Sequence, residues 1–329
     1  MLLSNFVVFI WFCFAVAQPQ PSQSTAPYWP SHSTTPSRLT APSLPTAPSE
    51  SNRPDDHTAH EPPEDEPPDD DFELLKTTFP HTYAHRGCTD QQKRNLEVAA
   101  NDAWLLAKAQ TVPVEGYDYN LPHSQWLGDD WNKQGDETLD KQSSYIAGNF
   151  QNMARLVSGN LEKDQKLRFW CFPRWKNDDT CDKAKVYAKS WFWYPEDEDL
   201  AIKIHHTVFC DRFFWQPGLQ STVDRLKTKP MRDQLIIDNA VGVSAVTMLH
   251  EIYHYRDMIV YPSTTDYAYG ALKCHELATK AGGGTELAYR NAESYAIDAL
   301  AIYLQQTLQL GFPPISRKYM NEEIDPAGA

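Results

Sequence analysis

Residues 250–254 read His-Glu-Ile-Tyr-His. Two histidines four positions apart fall on one face of a helix, where both imidazoles can reach one metal ion. The glutamate beside the first histidine can then act as a general base on a water. His250 and His254 are therefore candidate metal ligands and Glu251 a candidate catalytic base, the chemistry being metal-assisted hydrolysis. The bland alternative is a core helix with two satisfied histidines. A site that keeps one position open for water needs a third protein ligand. The longer pattern H-E-x-x-H-x-x-G-x-x-H fails, because Asp257 and Val260 stand in place of its glycine and last histidine. The candidates are the downstream carboxylates Asp266, Glu276 and Glu293, of which Glu276 reads better as part of a solvated helix face.

Such a site needs a buried helix beneath it. Val243, Val246, Met248, Leu249 and Ile252 supply an apolar face around the motif, and a helix is expected over residues 238–257. Further helices are expected from Thr89-Asp90, through Leu96, Ala99, Ala103 and Leu106, and over 143–158, 269–280 and 285–310. Gly282-Gly283-Gly284 divides the last two. Residues 168–172, 185–194 and 200–209 are rich in aromatic and β-branched types and read as strands, with Ile202, Ile204, His206 and Val208 on one face. His205 and His206 read as packing residues. Residues 112–142 read as a long insertion. The expected class is α+β, mainly helical with a small antiparallel sheet.

The chain outside this region is of another kind. Residues 1–17 are almost wholly apolar and end in Ala15-Val16-Ala17, the pattern of a secretory signal peptide. Residues 18–71 are rich in Pro, Ser and Thr and then acidic, ending in Glu61-Pro-Pro-Glu-Asp-Glu-Pro-Pro-Asp-Asp-Asp71. Such a segment buries too little apolar surface to order itself, and reads as a disordered arm rather than an inhibitory propeptide. Residues 72–329 form the expected folded domain. The net charge of −14, without a Lys/Arg-rich block, disfavours a nucleic-acid partner. No segment reaches the length of a membrane span. Secretion places Cys88, Cys171, Cys181, Cys210 and Cys274 in an oxidising compartment. That odd number allows two bridges and one leftover thiol.

Residues 263–270, Ser-Thr-Thr-Asp-Tyr-Ala-Tyr-Gly, resemble the G-T-x-D-x-x-Y-G motif of the aspzincin metallopeptidases, the group of deuterolysin and the fungal lysine-specific metalloendopeptidases. Only Ser263 departs from it. Asn291-Ala292-Glu293 is similar to the family's Asn-Ala-Asp segment, and Gly87-Cys88-Thr89-Asp90 to its start. The resemblance spans about residues 86–310. It implies a zincin-like metallopeptidase domain with one zinc ion per chain, Asp266 as third ligand, and Tyr269 as the hydroxyl that stabilises the transition state. With Tyr269 placed one helical turn beyond Asp266, its hydroxyl would face the same ion. The implied activity is that of a secreted zinc endopeptidase acting on protein or peptide substrates. The alternative is a catalytically silent zinc-binding or surface-interaction protein on the same fold. Glu293 is implied as a substrate-binding residue or a supporter of a ligand. Ala296 stands where the lysine-specific members carry a second acid, so lysine specificity is not carried over. The order of pairing in the family, together with the placing of the cysteines around the expected helix and strands, gives Cys88–Cys171 and Cys181–Cys210, with Cys274 free.

Overall fold

The computed structural model describes residues 82–160, 165–171, 180–182, 186–193, 203–256 and 259–323. The expected signal peptide, the acidic arm, Ile202 and Asp257 lie outside the described residues. Within them the chain is mixed helix and sheet. Strand β1 (Thr82–Arg86) leads into α1 (Asp90–Thr111), α2 (Asn120–Leu127) and α3 (Glu137–Ser158). Strands β2 (Gln165–Trp170), β3 (Ala188–Trp193) and β4 (Lys203–Phe209) follow. The rest is helical: α4 (Leu219–Lys227), α5 (Met231–Gln234), α6 (Ser244–Ile252), α7 (Ala271–Ala278), α8 (Thr285–Ala288), α9 (Ala292–Leu308) and α10 (Arg317–Glu323).

Helix α1 begins where the sequence places it. Thr89 caps it in a reciprocal box, its Oγ1 accepting the Gln92 N–H while the Gln92 side chain accepts the Thr89 N–H. Two expectations are corrected nearby. The supposed insertion at 112–142 contains α2 and the start of α3. Helix α3 begins at Glu137 rather than Ser143, because Asp136 caps it by accepting from the backbone of Thr138 and Leu139.

The sheet is also corrected. Its order is β1-β2-β4-β3, with β1–β2 and β2–β4 parallel and only β3–β4 antiparallel. Alternation along a strand tells which side chains share a face but not which way its neighbour runs. Strand β1, Thr-Tyr-Ala-His-Arg, went unread because it carries no alternation of apolar and polar residues. The α+β class stands. Both histidines of β4 are buried: His206 accepts the Trp170 indole N–H at 3.0 Å, and the His205 ring lies against Tyr255.

The core gathers around α9, of whose residues only a few reach solvent. A helix apolar on all sides must be enclosed, and α9 packs against α1, α2 and α6. Helix α6 packs in turn on α1, α9 and β3. A buried polar network ties these elements together. Asp298 of α9 is fully buried; it faces His123 Nδ1 at 2.9 Å and accepts from Gln110 Nε2 at 2.7 Å. Disulfides Cys88–Cys171 and Cys181–Cys210 join the start of α1 to the end of β2 and close the β3–β4 region, and Cys274 is free and buried. Among the described residues no helix is long and apolar enough to cross a membrane.

Candidate metal centre

Helix α6 carries the first two candidate residues on its last turn. Val243, Val246, Met248, Leu249 and Ile252 are all buried, as the apolar spacing requires. The helix is shorter than expected at both ends. Residues 237–239 form a separate 3₁₀ turn, and α6 stops at Ile252. His254 thus lies just past the helix, on a tight turn in which its N–H reaches the Glu251 carbonyl at 3.1 Å. Thr264 Oγ1 donates to the Tyr253 carbonyl at 2.7 Å and so satisfies one acceptor freed at the helix end.

Asp266 arrives on a loop that is stitched to the start of α9. The Thr265 N–H donates to the Arg290 carbonyl at 2.6 Å, and buried Asn291 accepts the Ala268 N–H at 3.1 Å. Residues 266–270 are not helical, so the expected helical turn between Asp266 and Tyr269 is absent. Tyr269 nevertheless reaches the site. Its ring stacks on His250 at 5.7 Å between centroids, and it is 59% exposed on the outer side. Burial and the neighbouring Asp266 carboxylate push its hydroxyl pKa well up, so it stays protonated and able to donate.

Three acceptor atoms converge. His250 Nε2 and His254 Nε2 lie 3.1 Å apart, and Asp266 Oδ1 lies 3.2 and 3.1 Å from them. A tetrahedral ion with bonds of about 2.0–2.1 Å holds its donors about 3.3 Å apart. Among the described residues these three form the one group with metal-binding geometry. The outer nitrogens fix which ring atoms carry protons. His250 Nδ1 donates to Glu293 Oε2 at 2.9 Å. The Thr264 hydroxyl hydrogen is engaged by Tyr253, so its oxygen accepts from His254 Nδ1 at 3.0 Å. Both Nδ1 atoms therefore carry hydrogen, which leaves both Nε2 atoms facing a carboxylate oxygen, the place where a cation, proton or metal, would sit. Such a set repels itself unless positive charge sits within it. The titration behaviour agrees. Burial alone would lower the His250 pKa, but Asp266 and Glu293 outweigh it and raise it well above the ordinary range. Burial would raise Asp266, but the two imidazoles hold it well below the usual carboxylate range. The point attracts a cation, and the donor set fits a divalent metal.

Glu251 is 5% exposed, and among the described residues its Oε2 has no hydrogen-bond partner. Glu293 is no part of the converging set. Its Oε2 orients His250 and its Oε1 accepts the Gly270 N–H at 3.2 Å, so one carboxylate supports both a candidate ligand and the chain beside Tyr269. Glu276 points elsewhere, to Lys318 at 2.9 Å. Thr264 and Asn291 act on the site through others. Both stand in the motif segments of the sequence, but no spacing rule assigns them their tasks. The chain matches no protein-family model and no curated protein.

Proposed function

We propose that this protein is a secreted zinc-dependent endopeptidase of the aspzincin type. The observation that carries the reading is the convergence of His250, His254 and Asp266 beside a buried glutamate, Glu251, whose Oε2 bonds to none of the described residues. Two imidazoles and one carboxylate suit zinc, and leave a position for water or substrate. Zinc at this point would supply Lewis-acid chemistry, acidifying a water and polarising a carbonyl. Glu251 takes the proton of the attacking water and returns it to the leaving amine. Tyr269, held protonated, donates to the oxygen that gains charge in the tetrahedral transition state. Glu293 and Thr264 keep both imidazoles in the tautomer that presents Nε2 inward. The signal-like N-terminus and the two disulfides support secretion.

Casein hydrolysis by the purified protein, with and without a chelator, tests the reading. Activity that the chelator removes and zinc restores is expected, with none in Glu251→Gln. A metal-loaded protein that leaves casein intact would point instead to a silent zinc-binding protein.

A further inference from the structure

A cavity of about 290 Å³ opens between the first turns of α3 and the glycine turn that leads into α8. Gln142 lines it. This residue is only 7% exposed, and among the described residues its carboxamide has no hydrogen-bond partner. Lys280 and Glu286 line the same cavity and make no ion pair with each other or with another described residue. The remaining carboxylates there are committed. Asp130 holds Lys133 at 2.7 Å, and Asp136 caps α3. What the cavity offers is one mostly enclosed glutamine whose carboxamide faces its solvent, flanked by an ammonium and a carboxylate that are unpaired among the described residues.

A carboxamide presents an acceptor and donors in one plane, the complement of a peptide bond. The opposite charges beside it can meet side chains of either sign. Among the described residues no aromatic side chain lines the cavity to stack a sugar or a base, and the single lysine there is too little to hold a phosphate. Contacts made by the cavity's own elements lead from it to the loop that carries Asp266. Tyr145 follows Gln142 by one turn of α3, and Tyr289 follows Glu286 by three residues. Their rings stack at 6.3 Å, and Tyr145 also meets the exposed Tyr261 edge-on at 5.3 Å. The chain then runs through Arg290, whose carbonyl binds Thr265, the neighbour of Asp266.

We infer that this cavity is a distal subsite for polypeptide, which pairs one backbone amide of the bound chain with Gln142 and reads flanking charge through Lys280 and Glu286. The choice of polypeptide as the ligand class rests on the peptidase reading; the cavity and its free groups do not.

The test uses the full chain carrying Glu251→Gln, so that nothing is cleaved, and oxidised insulin B chain as the probe, with binding measured by calorimetry. Gln142→Met keeps the side-chain volume and removes the amide, and Glu286→Gln alters an exposed position. Each is expected to weaken binding about fivefold, the worth of one lost hydrogen bond or charge contact. Unchanged affinity in both variants, or no binding by the parent, overturns the subsite. Hydrolysis of the same probe by protein with Glu251 intact is scored separately. Gln142-dependent binding without hydrolysis keeps the subsite and overturns the peptidase. Hydrolysis with binding indifferent to Gln142 and Glu286 does the reverse.

Discussion

Asp266 stands where two imidazole nitrogens already face each other, so on the proposed reading its removal would take away both a ligand and a negative charge. Asp266→Ala is expected to abolish stoichiometric zinc by elemental analysis, whereas Glu276→Ala, on a residue turned toward Lys318, should retain it. Glu251→Gln should keep zinc and lose nearly all turnover. Tyr269→Phe should lose on the order of 10²–10³ in turnover, as for one oxyanion donor; an unchanged rate would reduce the tyrosine to packing. His275 gives a test at another position. Burial between Trp126 and Tyr319 lowers its pKa, with Glu276 opposing weakly. Below the ordinary histidine range the unfolded chain then binds a proton that the folded chain refuses. Stability from this residue is thus full above about pH 6.5 and falls as pH drops. Thermal melts at pH 7 and pH 5 should show a smaller loss in His275→Phe than in the parent.

Among the elements, α4 has no cap of its own. Gly218 precedes it without a side chain, and Asp102 of α1 reaches across to accept the Leu219 N–H at 2.8 Å. Burial raises the Asp102 pKa, and that hydrogen bond opposes the rise. Asp102→Ala should lower stability by about 1–2 kcal/mol in urea unfolding, the usual worth of a cap. A cap borrowed from residue 102 for a helix starting at 219 has no signature in local sequence, unlike Thr89 and Gln92 three apart. The same distinction explains the site. His250, Glu251 and His254 were legible because the H-E-x-x-H pattern fixes their spacing, although His254 falls on the turn after α6, and Asp266 and Tyr269 because a motif resembled one already known. The early end of α6 and the non-helical path to Tyr269 were not legible. Both depend on Thr264 and Asn291, which bond to chain far from them in sequence. The parallel strand order escaped for the same reason, since direction is settled by partners.

At the scale of the whole molecule, the two disulfides close separations of 83 and 29 residues. By loop entropy they contribute about 4.5 and about 3.6 kcal/mol. Cys274 takes no part. It sits beneath the Asp266 loop, with Asn291 donating to its sulfur, and burial pushes its thiol pKa up. Peptide mapping without reductant should find the two bridges and a Cys274 that alkylates only after denaturation; a bridged peptide containing Cys274 would refute the pairing.

The enclosure of α9 has a temporal side. Helices α1, α2 and α6 all lean on a segment made after them, and Asp298 meets Gln110 and His123 across 188 and 175 residues. Closing such long loops is slow, and it leaves the earlier helices without their common partner until it happens. Glu293, which orients His250, belongs to that same late helix. During synthesis the ribosome therefore releases both histidines and Asp266 before the part that aligns them exists. On the metal-centre reading, an ion would find its aligned ligands only after α9 has docked and brought Glu293 to His250.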